Sequence, residues 1–247
     1  MINYKIKDLK YNENWRYDPE FKIFIDSNIL VDGSLNNFRF KSYKKLFDDL
    51  FIKSKFIILE TNVINIVEAI KILMDKAKVH FFIDEFAHNV NELKHLPEKY
   101  RNFINKYYND IRESYGKLYI NKLEKFLNSY RISVIDNVKI IYKDEGISEN
   151  CQFLLEDDGL LNLFIIYDKR IEYNDFISLA TANQLKDNIF ITTDNRLADS
   201  VKDYRINHSN NFRYVYSLAD RGHIEDLLKD LMNWGIIENY KIEDIRQ

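Results

Sequence analysis

Short apolar runs alternate along the chain with longer segments in which apolar residues recur every three or four positions. The short runs, each typical of a buried strand, are FKIFI, KFIIL, VHFFI, RISVI, NIFIT and FRYVY. The longer segments, such as NVINIVEAIKILMDKA and DFISLATANQL, have the period of an amphipathic helix. Strands that alternate with helices are typical of a parallel sheet covered by helices, so the pattern predicts an α/β fold with a central parallel sheet flanked by helices.

Residues 98–130 interrupt this alternation with a helical stripe that contains no strand. They predict one long helix, or a helical hairpin broken near Gly116, inserted between strands and standing away from the sheet. We therefore divide the chain into an N-terminal segment 1–20, a domain 21–222 that contains the insertion, and a C-terminal helical tail 223–247. The tail is expected to pack its helix on the domain or on a partner. The residues of the stripe are Ile104, Tyr108, Ile111, Tyr115, Leu118, Leu123, Phe126 and Tyr130.

The composition excludes several classes of protein. A net charge of −3 over 247 residues gives no chain-wide attraction to nucleic acid, so a nucleic-acid partner would need a local basic patch. The single cysteine, Cys151, excludes an internal disulfide framework and fits a cytoplasmic location. The apolar runs are far shorter than the roughly 20 residues that span a bilayer, so no membrane association is expected. Six glycines and two prolines argue against a glycine-rich phosphate loop.

Four of the apolar runs end on an aspartate. The carboxyl ends of parallel strands meet at one edge of the sheet, where ligands bind, so acids at these positions can converge on one crevice. An aspartate there can equally be a helix N-cap. Ser27 and Asn28 follow the first acid, and Thr192 and Thr193 precede the last, so we interpret those two as functional and the middle two as caps. The four acids in chain order are Asp26, Asp84, Asp136 and Asp194.

A further acid, Asp175, lies in the first turn of the helix predicted for DFISLATANQL. The small residues Ala180 and Ala182 allow this helix to approach the sheet closely, which would place Asp175 over the strand ends. Taken alone, an acid in a first turn is explained by the helix dipole. We interpret Asp175 as a functional residue because Asp26 and Asp194 are expected at the same strand ends.

The segments IFIDSNIL, DFISLATA and NIFITTD, in this order, resemble the PIN domain, a family of metal-dependent nucleases. The resemblance covers about residues 21–97 and 131–217. It implies that Asp26, Asp175 and Asp194 bind a metal ion together with a fourth acid, a glutamate early in a helix after the second core strand.

Two glutamates match the fourth acid of the family. We favour Glu92, because NVNEL has the Asn-Glu-Leu ending that is common in the family, and we keep Glu68 as the alternative, because its distance from Asp26 is the more usual one. Arg196 stands where many members of the PIN-domain family have a further acid. Asp199, three positions later, is the alternative candidate for that acid. The long insertion also departs from the compact toxin-like members.

Several carboxylates in one crevice repel each other unless a divalent cation lies among them. Oxygen ligands without a cluster of Cys or His favour Mg²⁺ or Mn²⁺. Such an ion supports hydrolysis of phosphodiester bonds, with Asn28 and Thr193 holding carboxylates and waters around it. The resemblance favours RNA as the substrate, and hence an endoribonuclease of a toxin or RNA-processing type.

Other interpretations stay open. A phosphatase of the haloacid dehalogenase type also ends its first strand on an acid, but needs a second Asp where this chain has Asn28. A non-catalytic PIN-like binding module is the other alternative. The basic residues from Lys94 to Arg131 suit either an RNA-binding arm or an ordinary solvated face, and we favour the latter. A protein regulator or a second copy of the chain is expected to bind, if at all, through the insertion or the tail helix.

Overall fold

The computed structural model describes eleven stretches of the chain, namely residues 3–12, 21–52, 54, 57–86, 97–135, 142–143, 146–147, 166, 171–184, 189–208 and 214–245. The elements, in chain order, are β1 (Asn3–Tyr11), β2 (Phe21–Ile25), α1 (Ser27–Leu35), α2 (Phe38–Phe47), β3 (Ile57–Asn62), α3 (Val63–Phe86), α4 (Pro97–Lys106), α5 (Tyr108–Ile111), α6 (Lys117–Ser129), β4 (Ser133–Ile135), β5 (Tyr142–Lys143), β6 (Gly146–Ile147), α7 (Tyr173–Gln184), β7 (Ile189–Thr192), α8 (Asn195–His208), β8 (Tyr214–Ser217), α9 (Arg221–Asn233) and β9 (Ile237–Ile245).

Five parallel strands form the central sheet in the order β4-β3-β2-β7-β8. The predicted α/β fold with a central parallel sheet and flanking helices is confirmed. From β2 the chain runs outward through β3 to β4, then returns to β7 on the other side of β2 and continues to β8. The direction of winding therefore reverses between β2 and β7, and the carboxyl ends of these two strands border a crevice of the kind in which open α/β sheets bind ligands.

The two faces of the sheet pack against different helices because side chains alternate along each strand. Ile23 and Ile189 belong to the larger core, to which α1, α2, α3, α6 and α9 also contribute. Phe24 and Phe190 point to the opposite face, where their rings stack at 5.4 Å among residues of α7 and α8. Both cores are continuous with the strand ends that carry the candidate acids.

The helical insertion packs on the domain and does not stand away from the sheet. Leu123 and Phe126 of α6 are buried in the larger core, and α6 packs along α1. Gly116 has helical dihedral angles within a π-helical turn, Arg112–Gly116, so the chain continues as helix there and does not form a hairpin. The predictions of a free-standing insertion and of a break at Gly116 are therefore wrong.

The predicted stripe of the insertion is buried at Ile111, Leu123 and Phe126, but Tyr108 and Leu118 are 49% and 48% exposed. The π-helical turn explains the error at Leu118, because its wider turn rotates the following residues relative to an α-helical period. The buried position after it is Tyr119.

Cations of the insertion lie next to acidic and aromatic side chains on its polar face. Arg112 and Lys117 both pair with Glu113, and Lys122 lies over the ring of Tyr119. These contacts agree with the solvated face that the sequence analysis favoured over an RNA-binding arm.

The run VHFFI, predicted as a strand, lies inside the long helix α3. A short apolar run has no period that separates a strand from a buried helix. Here Phe81 and Phe82 both pack on Phe103 of α4, so the insertion covers this part of α3. Asp84 consequently lies within a helix rather than after a strand, and its carboxylate accepts a hydrogen bond from the hydroxyl of Tyr115.

The C-terminal tail is helical only in part. Helix α9 packs Ile224 and Leu228 into the larger core, as expected for a helix docked on the domain. The chain then continues as β9, which pairs antiparallel with β1 from Asn3 opposite Ile245 onward, so the prediction of a wholly helical tail is wrong. Among the described residues, no helix is both long and apolar enough to cross a membrane.

Close packing between α1 and α6 predicts the effect of Gly33→Ala. A Cβ atom at Gly33 would lie 2.1 Å from the Phe126 ring, so we expect the variant to lose about 1–3 kcal/mol of unfolding free energy. Chemical denaturation measures this loss. In the double variant with Phe126→Leu, the two losses should be clearly less than additive, because the smaller side chain makes room. Additive losses would contradict the proposed contact.

Candidate active site

Asp26 lies at the carboxyl end of β2, at the point where the winding of the sheet reverses, and is 1% exposed. Its Oδ1 accepts a hydrogen bond from the Ser27 backbone amide (2.7 Å), which makes it the N-cap of α1. Its Oδ2 accepts from Asn28 Nδ2 (3.0 Å) and from Thr192 Oγ1 (2.6 Å). The Asp26 carboxylate is therefore both the N-cap of α1 and a candidate site group, and Asn28 donates to it as predicted.

Thr192, not Thr193, is the threonine that holds Asp26. In the parallel register Phe24 lies beside Phe190, so the residues two positions further on, Asp26 and Thr192, extend the same face of the sheet. Thr193 faces the other way, where its hydroxyl accepts a hydrogen bond from Arg39 (3.4 Å). The role assigned to Thr193 is therefore corrected, and strand alternation in NIFITTD was the signal that pointed to Thr192.

Asp194 follows β7 directly and caps the start of α8. Its backbone amide donates to Thr192 Oγ1 (2.9 Å), so one threonine side chain connects Asp194 to Asp26. Its Oδ1 accepts from the Arg196 amide (2.8 Å), and its Oδ2 pairs with the Arg196 guanidinium (3.1 Å). Arg196 is thus the counter-charge of this acid.

Asp175 lies in the first turn of α7, as predicted, and its Oδ2 accepts from the Glu172 amide (3.2 Å). A buried polar network fixes α7 against the sheet. Ser178, one turn further along α7, donates to Asn65 Oδ1 (2.6 Å), and Asn65 Nδ2 donates to the carbonyl of Ile25, the last residue of β2 (3.0 Å). Asn65 and Ser178 position this acid beside Asp26, and sequence reasoning did not single them out.

Of the two candidates for the fourth acid, Glu68 lies near the other acids. It is one helical turn beyond Asn65 on α3, and its charge acts on both Asp26 and Asp175. Glu92 lies outside the described residues and stays a prediction, as does the capping role of Asp136.

Burial and mutual repulsion raise the pKa values of two of these acids. The pKa of Asp26 rises to about 6, mainly because the carboxyl is withdrawn from water and also because of the charge of Glu68, while hydrogen bonds from Thr192, Ser27 and Asn28 oppose the shift.

The pKa of Asp175 rises to about 7. Burial is the main cause, followed by the negative charges of Asp26, Glu68 and Asp194. The charges of Asp26, Glu68 and Asp194 therefore act together on Asp175, and Glu68 takes the place that we had favoured for Glu92 in this set.

Asp199, the alternative for a further acid, belongs to a different contact. Its Oδ1 lies 3.0 Å from Nε2 of His223, which is buried at the start of α9. This pairing fastens α8 to α9, so Asp199 has a structural explanation that does not involve the other acids.

The chemistry of these side chains fits a hard divalent cation. Within the described ranges, no three His, Cys, Asp or Glu side chains are grouped closely enough to enclose a metal ion between them. Mg²⁺ does not require such a cage, because it usually keeps several waters and binds through one or two carboxylates. Buried acids that repel each other are the setting in which a divalent cation is stabilising.

The raised pKa values predict how the stability of the metal-free protein depends on pH. A carboxyl group that binds its proton more tightly in the folded chain stabilises the fold at low pH, and this contribution is lost as the pH rises through about 6 to 7. In chelator, Asp175→Asn should therefore lose less thermal stability than the wild type between pH 5 and pH 8. Scanning calorimetry measures the difference. Glu124→Gln, an exposed control, should follow the wild type. An identical pH profile for Asp175→Asn would contradict the assigned shift.

Comparison with known proteins gave no family for the chain. No protein-family model matches it, and a search of curated proteins found no similar sequence. A function must therefore be inferred from the arrangement of its own residues.

Proposed function

We propose that the protein is a divalent-metal-dependent nuclease that hydrolyses phosphodiester bonds, with Asp26, Asp175 and Asp194 as metal-binding acids. The observation that carries the proposal is the convergence of carboxyl groups from separate elements at the crevice where the sheet reverses its winding. Burial raises the pKa of Asp175, and the negative charges of the neighbouring acids raise it further. The resemblance to the PIN domain supports the same assignment, because its acids fall on these positions.

Each acid has a distinct part in this proposal. Asp26 and Asp194 would hold the principal ion, and Asp175 with a glutamate would complete its surroundings or orient the attacking water. When bound, Mg²⁺ or Mn²⁺ supplies a water of lowered pKa and stabilises negative charge on the phosphate.

The neighbouring residues keep the acids in place. Thr192 and Asn28 restrict rotation of the Asp26 carboxylate, because both donate to the same oxygen. Arg196 neutralises Asp194 in the metal-free protein. With a pKa of about 7, Asp175 holds a proton part of the time at neutral pH, and Asp26, with a pKa of about 6, does so at mildly acidic pH. A cation must displace these protons, so cation binding should strengthen as the pH rises.

RNA is the proposed substrate, on the strength of the family resemblance alone. Attack by a metal-bound water does not use the 2′-hydroxyl group, so the chemistry serves RNA and DNA equally. A cytoplasmic location and regulation by a protein partner or by a second copy of the chain belong to the same proposal.

Asp26→Asn and Asp194→Asn are each expected to reduce metal-dependent cleavage by about 100-fold or more, because each removes a charged ligand. Labelled RNA and DNA, single and double stranded, are incubated with the protein in Mg²⁺, in Mn²⁺ and in chelator. Asp75→Asn is a matched control, since Asp75 is an exposed acid of α3 that pairs with Lys78. Cleavage that persists in chelator, or that survives in both variants, would reject the proposal.

Glu68→Gln and Glu92→Gln distinguish the two candidates for the fourth acid. Glu68→Gln is expected to reduce cleavage by about 100-fold, because Glu68 acts on both Asp26 and Asp175, whereas Glu92→Gln should stay within about threefold of the wild type. Glu68→Gln should also lower the pKa of Asp175, which NMR titration of the metal-free protein measures. The opposite pattern of activity would restore Glu92 as the fourth acid.

A further inference from the structure

An exposed arginine, Arg39, lies on the side of the β7 end opposite to Asp26. It belongs to the first turn of α2, and its NH1 group donates to Thr193 Oγ1 (3.4 Å). Because Thr193 lies between Thr192 and Asp194 in the chain, this contact fixes Arg39 to the same strand end that carries the candidate acids. Its side chain is 54% exposed, so part of it faces water.

The electrostatic surroundings of Tyr43 place Arg39 and Asp26 in one neighbourhood. The charges of Asp32, Arg39 and Asp26 all act on the hydroxyl of this buried tyrosine. Its pKa is raised mainly by burial and further by the two carboxylates. Arg39 is thus a positive charge whose field reaches the surroundings of Asp26, and its recorded ion pair is with Asp32 and not with a candidate metal-binding acid.

A buried carboxylate, Asp32 of α1, orients Arg39. Its Oδ1 accepts a hydrogen bond from Asn37 Nδ2 (2.6 Å). Its Oδ2 lies 3.7 Å from Arg39 Nε, and within the described part of the chain this oxygen accepts no hydrogen bond. The pair is therefore held by charge and not by a closed, bidentate contact.

A purely structural role would have Arg39 neutralise Asp32, and such a pair is expected to close into short hydrogen bonds. Both contacts of Arg39 are long instead, and a guanidinium has five donors in a fixed plane. Most of these donors stay available on the exposed side. Arg196 differs, because it donates to Asp194 through both its side chain and its backbone amide.

We propose that Arg39 binds a backbone phosphate of the nucleic acid next to the one that is cut. This rests on the proposed nuclease function. An anionic strand that crosses the end of β7 would meet the acids on one side of the strand and Arg39 on the other. The planar guanidinium suits a phosphate, and the charge of Asp32 keeps it facing the crevice. Asp32 is then a positioning residue and Arg39 a substrate-binding residue.

Removal of this charge tests the proposal through binding, independently of cleavage. Arg39→Gln removes the charge but keeps a polar side chain, and Lys41→Gln removes one exposed charge from the same helix as a matched control. A fluorescein-labelled single-stranded RNA 20-mer is titrated with each protein in chelator at several salt concentrations, and circular dichroism verifies that each variant is folded.

Arg39→Gln should weaken binding by about fivefold or more and reduce the slope of log K against log salt by about 0.7, the value for one lost phosphate contact on a single strand. Lys41→Gln should leave both quantities unchanged. Arg39→Lys should restore the slope, because it keeps the charge, but only part of the affinity, because it lacks the planar fork.

Equal behaviour of Arg39→Gln and Lys41→Gln, or no binding of the 20-mer by the wild type, would overturn the inference. A failure of the nuclease function gives a different result. A wild type that binds the 20-mer through Arg39 but does not cut it in Mg²⁺ or Mn²⁺ would retain the phosphate contact and lose the proposed catalysis. If the wild type cleaves the 20-mer and Arg39→Gln binds it as tightly as the wild type, the nuclease function stands and the phosphate contact of Arg39 is rejected.

Discussion

The withdrawal of the Asp26 carboxylate from water is the constraint on which the rest of this crevice depends. A carboxyl that is 1% exposed at the end of a central strand needs hydrogen-bond donors or a proton, since an uncompensated buried charge is strongly destabilising. Thr192, Asn28 and the Ser27 amide supply the donors. Burial itself and the charge of Glu68 act in the opposite direction and outweigh these donors, so the pKa of Asp26 is raised.

The polar network below the acids shows how the fold maintains their positions. Thr61 and Asn65 both donate to the carbonyl of Ile25, and Ser178 connects Asn65 to α7. All of these side chains are fully or almost fully buried, so their hydrogen bonds are costly to break. The strand β2 and the helices α3 and α7 are thereby fixed to each other within one turn of Asp175 and Glu68. The crevice is consequently preorganised by residues that carry no charge.

Strand-forming apolar runs were sufficient to predict the parallel sheet, and the local sequence correctly placed Asp26 and Asp194 after strands and Asp175 in the first turn of a helix. Prediction failed where the local sequence does not determine the outcome. VHFFI has no period that separates strand from helix, and only the packing of α4 on α3 decides it. The choice between Thr192 and Thr193 required the pairing register of β2 with β7. Asp32 and Arg39 have no motif at all, because their relation to Thr193 arises from a contact across 154 positions of the chain.

The pairing of β1 with β9 has a consequence for how this protein is made. During synthesis the first strand leaves the ribosome long before its partner exists, and its ladder of hydrogen bonds can form only when the last strand has been translated. The hydroxyl of Tyr11 anchors this strand independently of β9, because it lies within hydrogen-bonding distance of the carbonyls of Asp49 and Leu50, just after α2. The ribbon joins segments more than 200 positions apart, so its pairing closes a very long loop, and contacts of such high sequence separation are slow to form.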